Sequence, residues 1–232
     1  MISLPRPHPA IPFRPKRRRL PEKRSMTIAL GLVAVDGLVL ASDSEHSVGD
    51  YFKTSGQKVF FRSTQPMGSS KDKFLPHGVG VTGSGTTAYI EAMQQNLIET
   101  YQKLYDEGMG DLESAFAKSL RDFYADNIFP FANHPYEDRP SVSLIIGQEC
   151  SYSAQLWATE LTTIRRCTKY AAVGAGGFFA TSLLWRLYLD SSDMTTMVLL
   201  AAYVIFQVKQ HIPGCGQSTQ FSCYEGRQNQ IN

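Results

Sequence analysis

The stretch Thr27-Ile-Ala-Leu-Gly-Leu-Val-Ala-Val-Asp-Gly-Leu-Val-Leu-Ala-Ser-Asp43 decides the fold. It holds two apolar runs rich in β-branched residues, separated by the pair Asp36-Gly37. Such a pair between apolar runs is typical of a tight β-hairpin. The pattern therefore predicts two neighbouring antiparallel strands, and we expect the folded domain to begin at or next to Thr27.

The first 26 residues have a different composition. They contain six prolines and eight Lys or Arg against a single acid, Glu22. Proline blocks regular structure and clustered charges repel, so the pattern predicts a disordered basic leader. Three explanations stay open: an arm for nucleic acid or another anionic surface, a propeptide, or sequence upstream of the true start at Met26. The leader has neither the Ser-rich amphipathic pattern of a transit peptide nor the apolar core of a secretory signal.

The remaining residues, 27–232, are enough for one domain with a sizeable core. The leader takes eight of the 23 basic residues and one of the 21 acidic residues, which leaves a mildly acidic body with 15 and 20. The longest apolar run, 197–206, is too short to span a bilayer and indicates a buried helix. We therefore expect a cytoplasmic protein with no membrane partner.

Cysteine spacing gives no sign of a metal centre. The cysteines lie too far apart for a zinc or redox motif, and they are Cys150, Cys167, Cys215 and Cys223. We interpret them as ordinary reduced thiols. The sequence predicts neither a cofactor nor a bound metal.

Further strands and helices follow the hairpin in a regular order. Short apolar runs predict strands at 58–61, 78–81, 142–147, 154–159, 170–174 and 218–224. Apolar residues at helical spacing predict helices at 86–107, from about 111 with Asp111 or its neighbour as the cap, at 177–189 and at 194–210. Adjacent strands joined by tight turns favour antiparallel pairing. The predicted class is α+β, a four-layer αββα sandwich of two antiparallel sheets flanked by helix pairs.

A hydroxyl, an acid and an amine are predicted to meet at one sheet edge. The hairpin would return Asp43 to the start of the first strand beside Thr27, and Lys58 opens a strand that can reach the same end. Spacing alone is weak support, because each of these residues is common on protein surfaces.

The order of several motifs resembles the proteasome family. After the opening stretch come Gln57-Lys-Val-Phe, Val81-Thr-Gly-Ser-Gly, Arg139-Pro-Ser-Val-Ser-Leu-Ile-Ile-Gly and Tyr170-Ala-Ala-Val-Gly-Ala-Gly. The resemblance is to catalytic β-type subunits and to the bacterial proteasome-like peptidases of the HslV and Anbu groups, and it covers nearly all of residues 27–226. Those proteins are N-terminal-nucleophile hydrolases with the αββα fold.

The resemblance implies a role for each matched residue. Thr27 would be the nucleophile of a threonine endopeptidase, with Asp43 at the family spacing and Lys58 matched if one loop residue is deleted. Gly83 would supply a backbone N–H to the oxyanion hole. A hydroxyl needs a base within reach, and a freed α-amine with a pKa of about 7.7–8.0 can serve. Lys58 as a nearby cation would favour the neutral form of that amine.

The resemblance also implies partners. We expect a peptide or unfolded-protein substrate and a homo-oligomeric ring or similar assembly, with an unfoldase as a candidate partner.

Two parts of the pattern depart from the family. Where catalytic members carry a supporting Asp and, three residues later, Ser, this chain has His211 and Gly214; a further supporting serine corresponds to Ser141. Met26 stands where self-cleaving members carry Gly. We therefore expect Thr27 to be exposed by aminopeptidase trimming after translation from Met26.

Three rival interpretations remain. The chain could be a non-catalytic, proteasome-like assembly subunit. It could bind nucleic acid through the basic leader, with a strong dependence on salt. It could also bind a dinucleotide at Gly174-Ala-Gly-Gly, but Phe179 occupies the third small position of that fingerprint and the strands are not βαβ-wound. In the proteasome family a similar small-residue turn serves close helix–sheet packing.

Overall fold

The computed structural model describes residues 27–48, 52–63, 78–108, 110–135, 139–149 and 154–225. The predicted disordered leader and Cys150 lie outside these residues. The described elements form an α+β domain with antiparallel sheets and four α-helices, in agreement with the predicted class at that level.

The first sheet is built on the predicted hairpin. Its order is β10-β1-β2-β11, all antiparallel. The strands are β1 (Ala29–Ala34), β2 (Gly37–Asp43), β10 (Tyr170–Val173) and β11 (Thr219–Glu225). The hairpin prediction is right, but the turn itself is Val35-Asp36, and Gly37 already pairs with Ala34 as the first residue of β2.

The second sheet has the order β5-β6-β7-β8-β9 and is also antiparallel throughout. Its strands are β5 (Val59–Ser63), β6 (Gly78–Gly85), β7 (Val142–Glu149), β8 (Ala154–Glu160) and β9 (Thr163–Cys167). A separate hairpin joins β3 (Glu45–Val48) to β4 (Phe52–Ser55). The sequence interpretation missed β3, β4 and β9, which are short and mostly polar.

The helices fall close to their predicted positions. They are α1 (Thr87–Asp106), α2 (Leu112–Asn127), α3 (Gly177–Leu187) and α4 (Met194–His211), with a 3₁₀ turn at Phe129–Phe131. Asp111 caps α2 as predicted, because its carboxylate accepts the backbone N–H of Ser114 at 3.2 Å. Asp193 caps α4 in the same way through Thr196 at 2.8 Å.

Three apolar clusters hold the layers together. One lies between α3, α4 and the first sheet and includes Leu32, Leu184 and Val204. Another lies between α1, α2 and the second sheet and includes Leu97, Phe116 and Trp157. The third lies between the two sheets and consists of Ala29, Leu38, Leu40, Val59, Ile145, Leu156, Ala158, Cys167, Ala171 and Tyr224. Because β1 and β2 contact neighbours on both faces, they are apolar along most of their length instead of alternating.

Candidate active site

Thr27, Asp43 and Lys58 meet at one end of the space between the two sheets. Thr27 lies two residues before β1, and Asp43 is the last residue of the neighbouring β2. The backbone N–H of Asp43 donates to the carbonyl of Ile28 at 3.1 Å, which sets the two strand ends side by side. Lys58 comes directly before β5 of the other sheet. The fold thus brings together the three side chains that the sequence pointed to.

The ammonium of Lys58 is the centre of the cluster. Its Nζ donates to Thr27 Oγ1 at 2.8 Å and to Asp43 Oδ1 at 3.0 Å. It also donates to the backbone carbonyl of Glu45. An ammonium has three N–H donors and no acceptor, so these three partners use all of them. Lys58 in this arrangement is a charged donor to the threonine hydroxyl and has no lone pair with which to act as a base.

The carboxylate of Asp43 is fully buried and well supplied with donors. Oδ1 accepts the Lys58 ammonium and the backbone N–H of Ile28 at 3.2 Å, while Oδ2 accepts the backbone N–H of Gly216 at 3.0 Å. A buried charge is tolerated only when it is paired and hydrogen-bonded, and both conditions hold here.

Burial acts on both members of the pair. It raises the pKa of Asp43 above its usual 3.8, against the opposing effects of Lys58 and of the Gly216 N–H. It lowers the pKa of Lys58 below its usual 10.5, and the Asp43 carboxylate opposes that shift. The pH range in which both groups are charged is therefore narrower than for the free side chains.

The backbone of Thr27 is fixed by the turn after β10. The backbone N–H of Gly176 donates to the Thr27 carbonyl at 3.4 Å. Gly174 has φ +99°, and a Cβ there would lie 2.1 Å from the same carbonyl oxygen, so no larger residue fits. A Cβ on Gly176 would lie 2.4 Å from Val208 of α4. The small-residue turn thus serves close packing, as expected from the family.

Gly83 lies in β6 of the second sheet, opposite Leu144 of β7. A Cβ at this position would lie 2.5 Å from Leu144 Cδ2 and 2.6 Å from the carbonyl of Ser143. Packing against β7 alone therefore requires glycine here, and a role of its N–H in an oxyanion hole remains a proposal.

The described contacts of the two predicted supporting residues are made with other parts of the chain. His211 is exposed at the end of α4, with its ring 5.5 Å from that of Phe179. Ser141 is also exposed, and it contacts the start of α1 through its backbone, with its N–H donating to Thr86 Oγ1 at 3.2 Å. Among the described hydrogen bonds, none joins either side chain to Thr27, Asp43 or Lys58.

Other residues, which the sequence interpretation missed, support the cluster instead. Glu45 and Gly216 contribute backbone groups, and such contacts leave no signal in residue type. The Gln220 side chain makes hydrogen bonds with the backbone of Gly56, Lys58 and Val59, so it contacts the segment that carries Lys58 at both of its ends. Ser44, which directly follows β2, is linked by hydroxyl hydrogen bonds of 2.8 Å to Ser55 and to Ser218.

The described residues contain neither a membrane-spanning helix nor a cluster of metal-binding side chains. Among their helices, none is long and apolar enough to cross a membrane. In the same part of the chain, no group of three or more His, Cys, Asp or Glu side chains is placed to hold a metal ion.

Comparison with solved structures identifies similar folds. The Anbu complex from Pseudomonas aeruginosa, described as a helical assembly, has a TM-score of 0.66 at 16% identity, over 86% of this chain and 81% of that one. Anbu, the ancestral β-subunit, from Yersinia bercovieri gives 0.67 at 13% identity, over 86% and 82%. A Gly-1 mutant of Anbu from Hyphomicrobium sp. strain MC1 gives 0.68 at 13%, over 86% and 81%.

The chain has a proteasome-like fold. No protein-family model matches its sequence, and no curated protein does. At these identities the likeness to the Anbu proteins is one of fold.

Proposed function

We propose that this protein is a threonine peptidase of the proteasome type, with Thr27 as an N-terminal nucleophile. The observation that carries the proposal is the position of Lys58 Nζ, which donates to both the Thr27 hydroxyl and the Asp43 carboxylate in a buried site. The proteasome-like fold supports it independently.

The proposed chemistry begins with a free amine on Thr27. An amide nitrogen is not a base, whereas a free α-amine has an ordinary pKa of about 7.7–8.0. The Lys58 ammonium nearby lowers that pKa further and stabilises negative charge developing on Thr27 Oγ1. The amine takes the hydroxyl proton, Oγ1 attacks the scissile carbonyl, and the amine then protonates the leaving amine. Water hydrolyses the resulting ester by the same route in reverse.

The other residues take supporting roles in this proposal. Asp43 keeps Lys58 charged and in place. The Gly83 N–H stabilises the oxyanion, where a single donor is worth about 3 kcal/mol. Because the described hydrogen bonds of the cluster include neither His211 nor Ser141, we assign the support of Asp43 and Lys58 to the Gly216 N–H and the Glu45 carbonyl.

The layer order of the fold is part of the same proposal. One apolar cluster has members from α3, α4 and the first sheet, another from α1, α2 and the second sheet, and the third from both sheets. This packing supports the proposal of an αββα sandwich, which is expected of N-terminal-nucleophile hydrolases.

The test of the nucleophile combines mass spectrometry with turnover. We expect the protein purified from its own cell to begin at Thr27 and to hydrolyse fluorogenic peptides. A peptide epoxyketone has two electrophilic carbons, which a hydroxyl and an amine on one residue can capture together, so we expect a covalent adduct on Thr27. Thr27→Ala should abolish turnover and adduct, while Thr27→Ser should keep both.

Two results would contradict the peptidase. A stable cellular species that keeps residues 1–26 would favour the alternative of a non-catalytic, proteasome-like assembly subunit, because the Thr27 nitrogen would then be blocked. Unchanged turnover in Thr27→Ala would remove Thr27 from the mechanism.

We also propose that the protein assembles with copies of itself through the outer face of α3 and α4. Phe178 and Trp185 are 87% and 77% exposed, and Leu189, Leu199, Tyr203 and Phe206 extend the apolar face. Neither helix contains an acidic residue. Taking about 150–250 Å² for a whole aromatic side chain, the face exposes on the order of 800 Å². That matches the roughly 800 Å² per partner of a stable interface and exceeds the usual patch on a monomer.

Light scattering after gel filtration tests the assembly. Trp185→Glu should dissociate the oligomer without unfolding the chain, because the indole is exposed. Ala92→Glu, on the exposed side of α1, adds the same charge and should leave the molecular mass unchanged. If Trp185→Glu and Ala92→Glu have the same molecular mass in solution, the interface does not lie on the outer face of α3 and α4. Peptide or unfolded-protein substrates, an unfoldase partner and a cytoplasmic location complete the proposal.

A further inference from the structure

The segment that carries Lys58 has little regular structure of its own. Residues 56–58 connect β4 to β5 without belonging to either strand. The position of the ammonium therefore depends on what holds this connection. Two glutamine side chains contact it: Gln220 from β11 of the first sheet and Gln94 from α1.

The carboxamide of Gln220 makes the closer set of contacts. Its Oε1 accepts the backbone N–H of Lys58 at 2.7 Å and that of Val59 at 3.3 Å, and its Nε2 donates to the carbonyl of Gly56 at 2.7 Å. One side chain thus holds the connection on both sides of Lys58. The Nε2 of Gln94 donates to the Lys58 carbonyl at the longer distance of 3.3 Å, and it also donates to the Val81 carbonyl at 3.4 Å.

The place of Gln220 in the first sheet gives these contacts their meaning. In the pairing of β11 with β2, Thr219 lies opposite Asp43, and Gln220 is the next residue along, opposite Ser42. The strand that aligns with the carboxylate therefore also holds the backbone of its lysine partner. Gln220 links the sheet that carries Thr27 and Asp43 to the segment that carries Lys58.

We propose that Gln220 is a positioning residue that fixes Lys58 relative to Asp43 and Thr27; the inference rests on the proposed peptidase function. Gln220 touches none of the three reacting side chains among the described contacts and acts through the backbone of residues 56–59. Without it the connection can shift, and Nζ cannot keep its 2.8 Å and 3.0 Å contacts at once. A misplacement of about 1 Å in such a site can cost on the order of 100-fold in rate.

Three variants of the mature protein test this role. Gln220→Met removes every hydrogen bond at nearly constant volume. Gln220→Glu keeps the acceptor and, when ionised, loses the donor to Gly56. Gln148→Met is the control, because Gln148 is also a strand glutamine, though it is buried where Gln220 is half-buried. Gln148 lies opposite Val79, three residues along β6 from Thr82, which pairs with Val59 next to Lys58.

The expected results separate positioning from a general structural effect. Gln220→Met should lower kcat by about 10- to 100-fold with little change in KM, while Gln148→Met keeps the parent kcat. The defect of Gln220→Glu relative to the parent should shrink at acidic pH, because a protonated carboxyl offers the same acceptor and donor as the amide. A purely structural role would lower the melting temperature and leave kcat per folded molecule unchanged.

A second measurement does not depend on turnover. In protein with ¹³C-labelled lysine, the NMR titration of Lys58 reports the surroundings of its ammonium. In Gln220→Met the connection loosens and admits water, which relieves the burial that lowers the pKa of Lys58, so we expect this pKa to rise towards that of a free lysine. The Gln148→Met control should titrate like the parent.

The outcomes distinguish this inference from the proposed function. A parent protein without activity would overturn the peptidase, and the lysine titration would still decide the role of Gln220. An active parent with parental kcat in Gln220→Met would overturn the inference alone. If Gln220→Met fails to fold, Gln220→Glu decides: parental kcat and Lys58 titration at neutral pH would overturn the role of Gln220.

Discussion

The middle and the end of the space between the two sheets are equally buried but chemically opposite. Strand β2 runs through both: Leu38 and Leu40 lie in the apolar middle, and Asp43 lies at the charged end, all of them fully buried. In the middle, any apolar side chain of suitable shape gains from leaving water. At the end, the desolvated charges are tolerated only because Lys58 and the backbone N–H groups of Ile28 and Gly216 face the carboxylate.

The difference separates stability from chemistry. Apolar burial contributes roughly 25 cal/mol per Å² whatever the partners are, whereas a buried ion pair often contributes nothing net to stability. The buried charges at this end therefore add little to folding stability. Their presence is consistent with a site that needs a fixed cation beside a hydroxyl.

The largest effect is expected from breaking the charged end. Lys58→Met leaves the Asp43 carboxylate buried without its cation, and such a loss costs about 3–5 kcal/mol of unfolding free energy. We expect peptide hydrolysis to fall by about 1000-fold or more at the same time. Urea unfolding and fluorogenic turnover measure the two effects.

Two controls interpret that result. The double variant Asp43→Asn with Lys58→Met should recover most of the stability and none of the activity. Lys169→Met, which removes an exposed ion pair with Asp190, should change the unfolding free energy by less than about 1 kcal/mol. If the double variant is no more stable than Lys58→Met alone, the unpaired carboxylate is not the cause of the loss.

A substitution in the apolar middle should lower stability without lowering turnover. Leu156 of β8 is fully buried between the sheets, and Leu156→Ala should lower the unfolding free energy by about 2–5 kcal/mol because it leaves a cavity. Turnover per folded molecule should stay at the parental level. A fall in kcat as large as that of Lys58→Met would mean that the two regions are not independent.

The smallest expected effect lies at the boundary, where Cys215 belongs to the apolar cluster under α4 and adjoins the charged end. Burial, with a further contribution from Asp43, raises the pKa of its thiol from 9.0 to about 12. Between about pH 9 and pH 12 the thiol is therefore protonated in the folded state and mostly deprotonated in the unfolded state. Its contribution to stability is complete below pH 9 and is lost as the pH rises towards 12.

Cys215→Ala isolates this contribution. The unfolding free energy of the parent relative to the variant should fall by up to about 1.4 kcal/mol per pH unit above pH 9. Urea unfolding between pH 8 and pH 10.5 measures it, and titrating groups that do not interact with Cys215 cancel in the comparison. Parallel curves for the two proteins would show that the thiol titrates normally.

The sequence predicted what depends on side-chain pattern. The first hairpin, the four helices and the antiparallel pairing follow from apolar periodicity and turn residues. Spacing gave only weak support for the meeting of Thr27, Asp43 and Lys58, and the resemblance to the proteasome family singled these residues out. The β3–β4 hairpin and β9 were not predicted, because runs of four or five mostly polar residues resemble loops.

The supports of the site could not be predicted from residue type. Gly216 and Glu45 act through an N–H and a carbonyl that every residue but proline possesses. Gln220 looks like any polar residue of an edge strand until the fold places it beside Lys58. His211, which stands at the position of the family's supporting Asp, has its ring 5.5 Å from that of Phe179.

The way Thr27 is fixed has a consequence for control of the proposed peptidase. Its hydroxyl contacts Lys58 and its carbonyl contacts Gly176, and both contacts are present in a chain that has residues in front of Thr27. Under the proposed mechanism, residues joined in front of Thr27 would silence the enzyme by withholding its base and not by distorting the site. The precursor would then be a zymogen that is kept inactive by the single peptide bond before Thr27. Cleavage of that bond would free the amine, and the site would not need to refold.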